Sequence, residues 1–324
     1  MKSIILSILT LALIFSFGCM KKAVTKTKEA ELIEEKVIIG DDILNIIPKQ
    51  IQGLIFLNVQ KSANTRLFDK LIALGSEKTK NHYNLIKELG IDIKKDVHFL
   101  TVVNSEKFVS DEESDVIVVV NLKYDKDLIL SNLKEMGLDN EEDYQNVTIY
   151  SENGERSEEI KLAILNETYI AYDDENLLKA VIDLSQDKGE NIYKNENMKT
   201  VLKNINKEAF LWGGYLIPEE AIEKAIAKNP LVRNLELIEA TSFFVDYDNS
   251  GYFCQINLVS EDETKNKQIV EFINLMKLFY SMGTKEDNDI QALIENINVS
   301  VEPTGIKITF KTSEDLLIKL IEKS

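Results

Sequence analysis

Apolar residues fall into short blocks along this chain, and their spacing alternates between every second position and every third or fourth. That alternation predicts strands interleaved with helices. Gly53–Val59 reads as a strand, Thr65–Leu74 and Tyr83–Leu89 as helices, and Val97–Val103 and Asp115–Leu122 as two further strands. Val116–Val120 is apolar without alternation, which predicts a strand buried on both faces. Asp125–Met136 follows as a helix, opened by Asp125 and Asp127 and closed by Gly137. Val147–Tyr150, Ile160–Leu165 and Tyr169–Tyr172 are short strands, and Asp173-Asp174-Glu175 starts a helix running to Leu184.

The order then recurs. Ala209–Leu216 is a strand, Pro218-Glu219-Glu220 opens a helix to Ala227, and Thr241–Tyr247 and Tyr252–Val259 pair across Asp248-Asn249-Ser250-Gly251. A long helix follows to Met282, then a shorter one at Asp289–Asn296. A hairpin of Val299–Val301 and Ile306–Lys311 precedes a closing helix capped by Ser313-Glu314-Asp315. Strands joined by short turns pair antiparallel. The expected class is therefore α+β, in two tandem similar halves, 43–188 and 189–324, each a mainly antiparallel sheet with helices covering one face. The boundary falls in the polar run Gln186–Asn195. A single sheet shared by both halves stays open as the alternative. The organisation is similar to that of duplicated α+β exported bacterial proteins of uncharacterised role.

The first nineteen residues stand apart. Lys2 supplies a positive charge, and Ile4–Phe17 is apolar apart from Ser7, Thr10 and Ser16. A helix of that length reaches roughly 21 Å, short of the ~30 Å hydrocarbon core, so an export signal fits better than a permanent span. The run ends Ser16-Phe17-Gly18-Cys19. It resembles the lipobox of bacterial lipoproteins, in which a small residue precedes a Cys that receives a diacylglycerol thioether before cleavage. The resemblance implies a signal peptide over 1–18, lipidation of Cys19 and a membrane partner held through acyl chains. Met20 stands where an Asp retains some lipoproteins in the inner membrane, so the outer membrane is the expected location. Ser16-x-Gly18 also suits ordinary signal peptidase, which would leave Cys19 a free thiol. Residues 19–42 lack an apolar period and read as a tether.

Composition narrows the function further. The chain is 44% hydrophobic, which excludes wholesale disorder, and thirteen Gly and four Pro exclude long linkers of that kind. With 55 acidic against 38 basic residues the net charge is -17, which argues against nucleic acid as a partner. Two Cys and two His leave little for a metal site or a disulfide scaffold, so neither metal nor cofactor is expected.

Motifs for chemistry are sparse. The sequence has no Gly-x-Ser-x-Gly elbow, phosphate loop, dinucleotide fingerprint or His-Glu-x-x-His, and it nominates no catalytic residue. His82 and His98 are expected to be structural. Cys254, on the apolar face of its strand, is expected in the core. Asp246-x-Asp248-x-Ser250-Gly251 resembles the start of a calcium loop, but Asn257 occupies the position of the bidentate Glu, so the segment reads as a turn. The acid clusters 111–113, 141–143 and 158–159 are expected in solvated loops. Phe210–Tyr215 is expected to be a packed strand whose glycines allow close approach.

One helix is too apolar to be simple surface. Ile269, Phe272, Ile273, Met276, Phe279 and Tyr280 form a stripe, which Val270, Leu275 and Leu278 widen. Either the helix is sandwiched between layers, or it lines a surface for an apolar ligand or a partner. Three readings stay open: a non-catalytic, lipid-anchored envelope protein that binds other proteins, a carrier or sensor of a hydrophobic ligand, and a hydrolase with an unfamiliar carboxylate site.

Overall fold

The computed structural model describes residues 41–78, 86–105, 116–152, 161–228, 233, 235–283 and 288–323. The leader, Cys19, nearly all of the tether, His82 and the acid clusters 111–113 and 158–159 lie outside them. Twelve strands among the described residues form one sheet. They are β1 Gly53–Asn58, β2 Val97–Asn104, β3 Val116–Leu122, β4 Asn140–Tyr144, β5 Val147–Ser151 and β6 Lys161–Ile164. The rest are β7 Tyr169–Asp173, β8 Leu211–Leu216, β9 Ala240–Asp248, β10 Gly251–Val259, β11 Asn298–Glu302 and β12 Gly305–Thr312. Their order is β11-β12-β10-β9-β8-β1-β2-β3-β7-β6-β5-β4, with antiparallel neighbours throughout. The α+β class and the antiparallel pairing thus match the expectation from the alternating pattern.

The strands from 43–188 and 189–324 do not form separate sheets. They meet where β1 pairs with β8, Phe56 opposite Trp212 and Leu54 opposite Gly214. Phe56 stacks on Trp212 with ring centroids 4.8 Å apart, and Phe99 of β2 lies 5.2 Å from Phe56 on the other side. Gly213 is required here, because a Cβ would come 2.7 Å from the carbonyl oxygen of Leu54 on β1. The expected linker is pinned as well. Lys49 N donates to Glu190 O at 3.0 Å, Ile192 N donates to Ile47 O at 2.8 Å, and Ile192 is fully buried. A polar run can be a packed connection when its backbone finds partners.

Helices cover both faces of the sheet rather than one. The helices, in chain order, are α1 Asp41–Leu44, α2 Val59–Ser62, α3 Arg66–Lys78, α4 Ile93–Asp96, α5 Lys126–Glu135 and α6 Glu175–Ser185. They continue with α7 Glu196–Lys203, α8 Glu219–Lys228, α9 Glu263–Gly283, α10 Asn288–Asn296 and α11 Glu314–Lys323. Leu178 and Val181 of α6 and Val201 of α7 pack with Val119, Phe56 and Trp212 on one face. Ile129 and Leu133 of α5 pack with Val118 and Val120 on the other. β3 therefore contributes alternate residues to two cores, which explains its unbroken apolar run. Helix α5 is capped by Asp125, whose Oδ1 accepts from Asp127 N at 3.0 Å, and α6 by Asp174, which accepts from Leu177 N at 2.9 Å.

The far end of the sheet positions the α9 stripe. Ile269 and Ile273 of α9 join Leu293 and Ile297 and the β12 residues Ile306 and Ile308 in a third core. Across the molecule, Glu314 of α11 accepts from Leu67 N and from the Tyr252 hydroxyl, both at 2.9 Å, tying α3 to the β10 side of the sheet.

Candidate functional site

Helix α9 starts where β10 ends. Asp262 Oδ1 accepts from Lys265 N at 3.0 Å, and the buried Asn266 donates to Ser260 O at 3.1 Å, which fixes the entry angle. The predicted stripe then divides along the helix. Ile269 and Ile273 are buried core residues, Phe272 and Met276 are half-buried, and Phe279 is 61% exposed. The side chain of Tyr280 lies outside the described residues. Leu275 and Leu278 are 50% and 57% exposed. The earlier turns thus pack on the core through one face, at Asn266, Ile269 and Ile273, while the last turns hold three large apolar side chains in water.

The direction of this exposed surface follows from helix geometry. Lys277 donates through Nζ to the carbonyl of Ile297, just beyond α10, and Val270 packs into the same core as Leu293 and Ile297. These two residues mark the flank of α9 that faces α10. At about 100° per residue, Phe272, Leu275 and Phe279 fall on the opposite flank, and Leu278 at the crest. Helix α9 packs across β11 and β12, and β11 is the terminal strand of the sheet. Because α10 packs on β12, the apolar flank turned away from it lies on the β11 side, toward the sheet's outer edge. Partial burial lowers the pKa of Lys277, its desolvated ammonium resting on that carbonyl. A cluster of exposed apolar side chains at spacings of three and four is what an interaction surface requires.

The remaining candidates are taken up in the framework. Cys254 is buried in the core beneath α9, and burial pushes its thiol pKa well up. His98 Nδ1 lies 2.8 Å from Asn121 Oδ1 at an irregularity between β2 and β3. The calcium-like segment is a hairpin turn: Asp248 Oδ1 accepts from Ser250 N at 2.7 Å, while Asp246 is drawn off to Lys61 at 2.8 Å. Among the described residues no group of three His, Cys, Asp or Glu could hold a metal ion. Nor is any helix there long and apolar enough to cross a membrane.

Glu141, Glu142 and Asp143 stand on the edge strand β4 rather than in a loop, because Gln145 and Asn146 turn the chain back with φ of 53° and 63°. An ionic network lies behind them. Glu175 bonds Lys161 and Lys179, and Lys179 reaches Glu142 at 3.0 Å. Its members lie on β4, β6 and α6, and nothing in their local sequence announces the meeting. The two lysines hold the Glu175 carboxyl far below the usual range, at about 2. It is a paired, permanently charged group, unsuited to exchanging protons near neutrality.

No protein-family model matches the chain. No curated protein matches it either. Among solved structures, the chain is similar to crystal form I of TP0453 at 11% identity and a TM-score of 0.45, over 87% of this chain and 97% of that one. Crystal form IV of TP0453 gives 11% identity and a TM-score of 0.47, over 86% and 95% respectively. Likeness at that level carries no argument about what this chain does.

Proposed function

We propose that the chain is a non-catalytic, lipid-anchored protein of the bacterial cell envelope whose folded body docks onto other proteins. Acyl chains on Cys19 hold it to the membrane, the outer one by the residue after that cysteine. The observation that carries the docking role is the exposure of Leu275, Leu278 and Phe279 on a helix that buries its Ile269 and Ile273 face in the core. Burying one such side chain contributes about 1.5–3 kcal/mol, so their exposure is offset only when something covers them. Without residues 1–18 the chain has 37 basic against 55 acidic residues, a net charge of -18, which suits a cationic or neutral partner better than an anionic lipid surface.

The strand order outward from the β1:β8 pair runs β1-β2-β3 one way and β8-β9-β10 the other. It supports reading the two arms as copies of one unit, with the β4–β5 hairpin an addition to the first. A ligand-carrier reading has less support, since the inner part of the α9 stripe is filled by Ile306, Ile308, Leu293 and Ile297 of the same chain. A Cys19→Ala variant followed through membrane fractionation tests the proposal. Its loss from the membrane fraction is expected; retention equal to the parent's would refute the anchor.

A further inference from the structure

We infer that the β11 edge of the sheet is a self-association surface: β11 pairs antiparallel with β11 of a second copy, and the apolar flanks of the two α9 helices cover each other. This deepens the docking reading above and rests on it. Three features of the edge converge on a second copy.

The first is the ladder. β11 and β12 are joined by the two-residue turn Pro303-Thr304, with Glu302 opposite Gly305. A turn of two residues closes on a hydrogen-bonded pair, and bonded and non-bonded pairs alternate from there. Asn298, Ser300 and Glu302 therefore bond inward to β12, and the backbone groups of Val299 and Val301 point outward from the terminal strand. An antiparallel pairing centred on Ser300 sets Val299 opposite Val301 of the second copy, twice, with the outward groups facing each other. Ser300 then meets its own copy in a non-bonded pair, with Cα atoms about 4.5 Å apart.

Charge is the second. In that register Asn298 opposes Glu302, and Glu302 is already paired with Lys307 at 2.6 Å, so no bare like charges meet. The other end of the sheet differs. Centred self-pairing of β4 would set Glu141 against Asp143 twice, which is repulsive even with Glu142 partnered by Lys179. The remaining obstacle is the net charge of -18 on each copy without residues 1–18, which salt screens beyond about 8 Å at physiological strength. Association through β11 should therefore strengthen as salt rises.

The third is the helix layer. A two-fold axis perpendicular to the sheet keeps both α9 helices on one face, with the Phe272, Leu275 and Phe279 flanks turned toward each other. Helix α9 lies across β11 and β12, so the two axes come about two strand spacings apart, roughly 9–10 Å. Packed helices sit about 8–10 Å apart. The molecule already joins its own two arms through an antiparallel edge pair, β1 with β8.

The test is a Ser300→Cys variant of the whole protein, oxidised in its native membranes and read on a non-reducing gel. Cα atoms about 4.5 Å apart lie within disulfide range, so a species of twice the monomer mass is expected. Glu142→Cys on the β4 edge should give none. Adding Leu275→Lys and Phe279→Lys should cut the cross-linked fraction roughly tenfold or more, with circular dichroism confirming an unchanged fold. Sedimentation of the purified chain in detergent reads the same association whether or not Cys19 carries lipid, and a dimer that tightens with salt is expected. A monomer in both assays, equal cross-linking at the two edges, or cross-linking indifferent to the flank lysines would overturn the inference. If the chain is monomeric while the flank lysines still abolish capture of an envelope partner, the second-copy assignment alone fails and the docking reading stands.

Discussion

Glu175 sits at the first turn of α6 between Lys161 and Lys179, and its carboxyl pKa falls from 4.5 to about 2. A carboxylate held below its unfolded pKa stabilises the fold fully above pH 4.5. That contribution fades as pH drops from 4.5 toward about 2. Glu175→Gln should accordingly lower the thermal midpoint at neutral pH, with the gap to the parent closing across that window. A gap independent of pH would mean that the pair is idle. Single residues were legible where the signal is local. Asp125 and Asp174 cap helices because a carboxylate just before an apolar period has free N–H groups to accept from. Cys254 was legible as core from its strand face. The Lys161–Glu175 pair was not, since its partners are brought together only when β6 and α6 pack.

At the scale of elements, the strands and helices read from periodicity recur closely in the fold, and the ones it misses are short and mostly polar. β4, Asn-Glu-Glu-Asp-Tyr, has no apolar alternation because it is an edge strand that faces water on both sides. Helix α7 was hidden in a polar stretch, although Met198, Val201 and Leu202 repeat at helical spacing behind the Asn195 cap. Helix α9 was recognised as too apolar, but periodicity alone does not tell which turns lie under other elements. That difference is measurable. At dilutions where the parent is monomeric, Leu275→Lys with Phe279→Lys should leave urea stability within about 0.5 kcal/mol of the parent. Ile273→Ala should cost about 2–5 kcal/mol. Equal losses for both would place the outer turns in the core.

For the whole molecule, the sequence suggested two halves and left one sheet or two undecided, because strand pairing between distant segments leaves no periodic trace. The answer lies at β1 and β8, where Phe56 stacks on Trp212 and Gly213 lets the Leu54 carbonyl approach. Residues 43–188 expressed alone would expose Phe56 and a bare β1 edge. They should aggregate or melt without a cooperative transition, and a sharp transition with native-like circular dichroism would show the halves to be independent. The folded body, however well described, gains its proposed role from where it is held. The most direct measurement is therefore the intact mass of the mature amino-terminal peptide isolated from envelopes. A chain beginning at Cys19 and carrying a diacylglycerol thioether is expected; a chain with an unmodified Cys19 thiol, or one still beginning at Met1, would contradict the account.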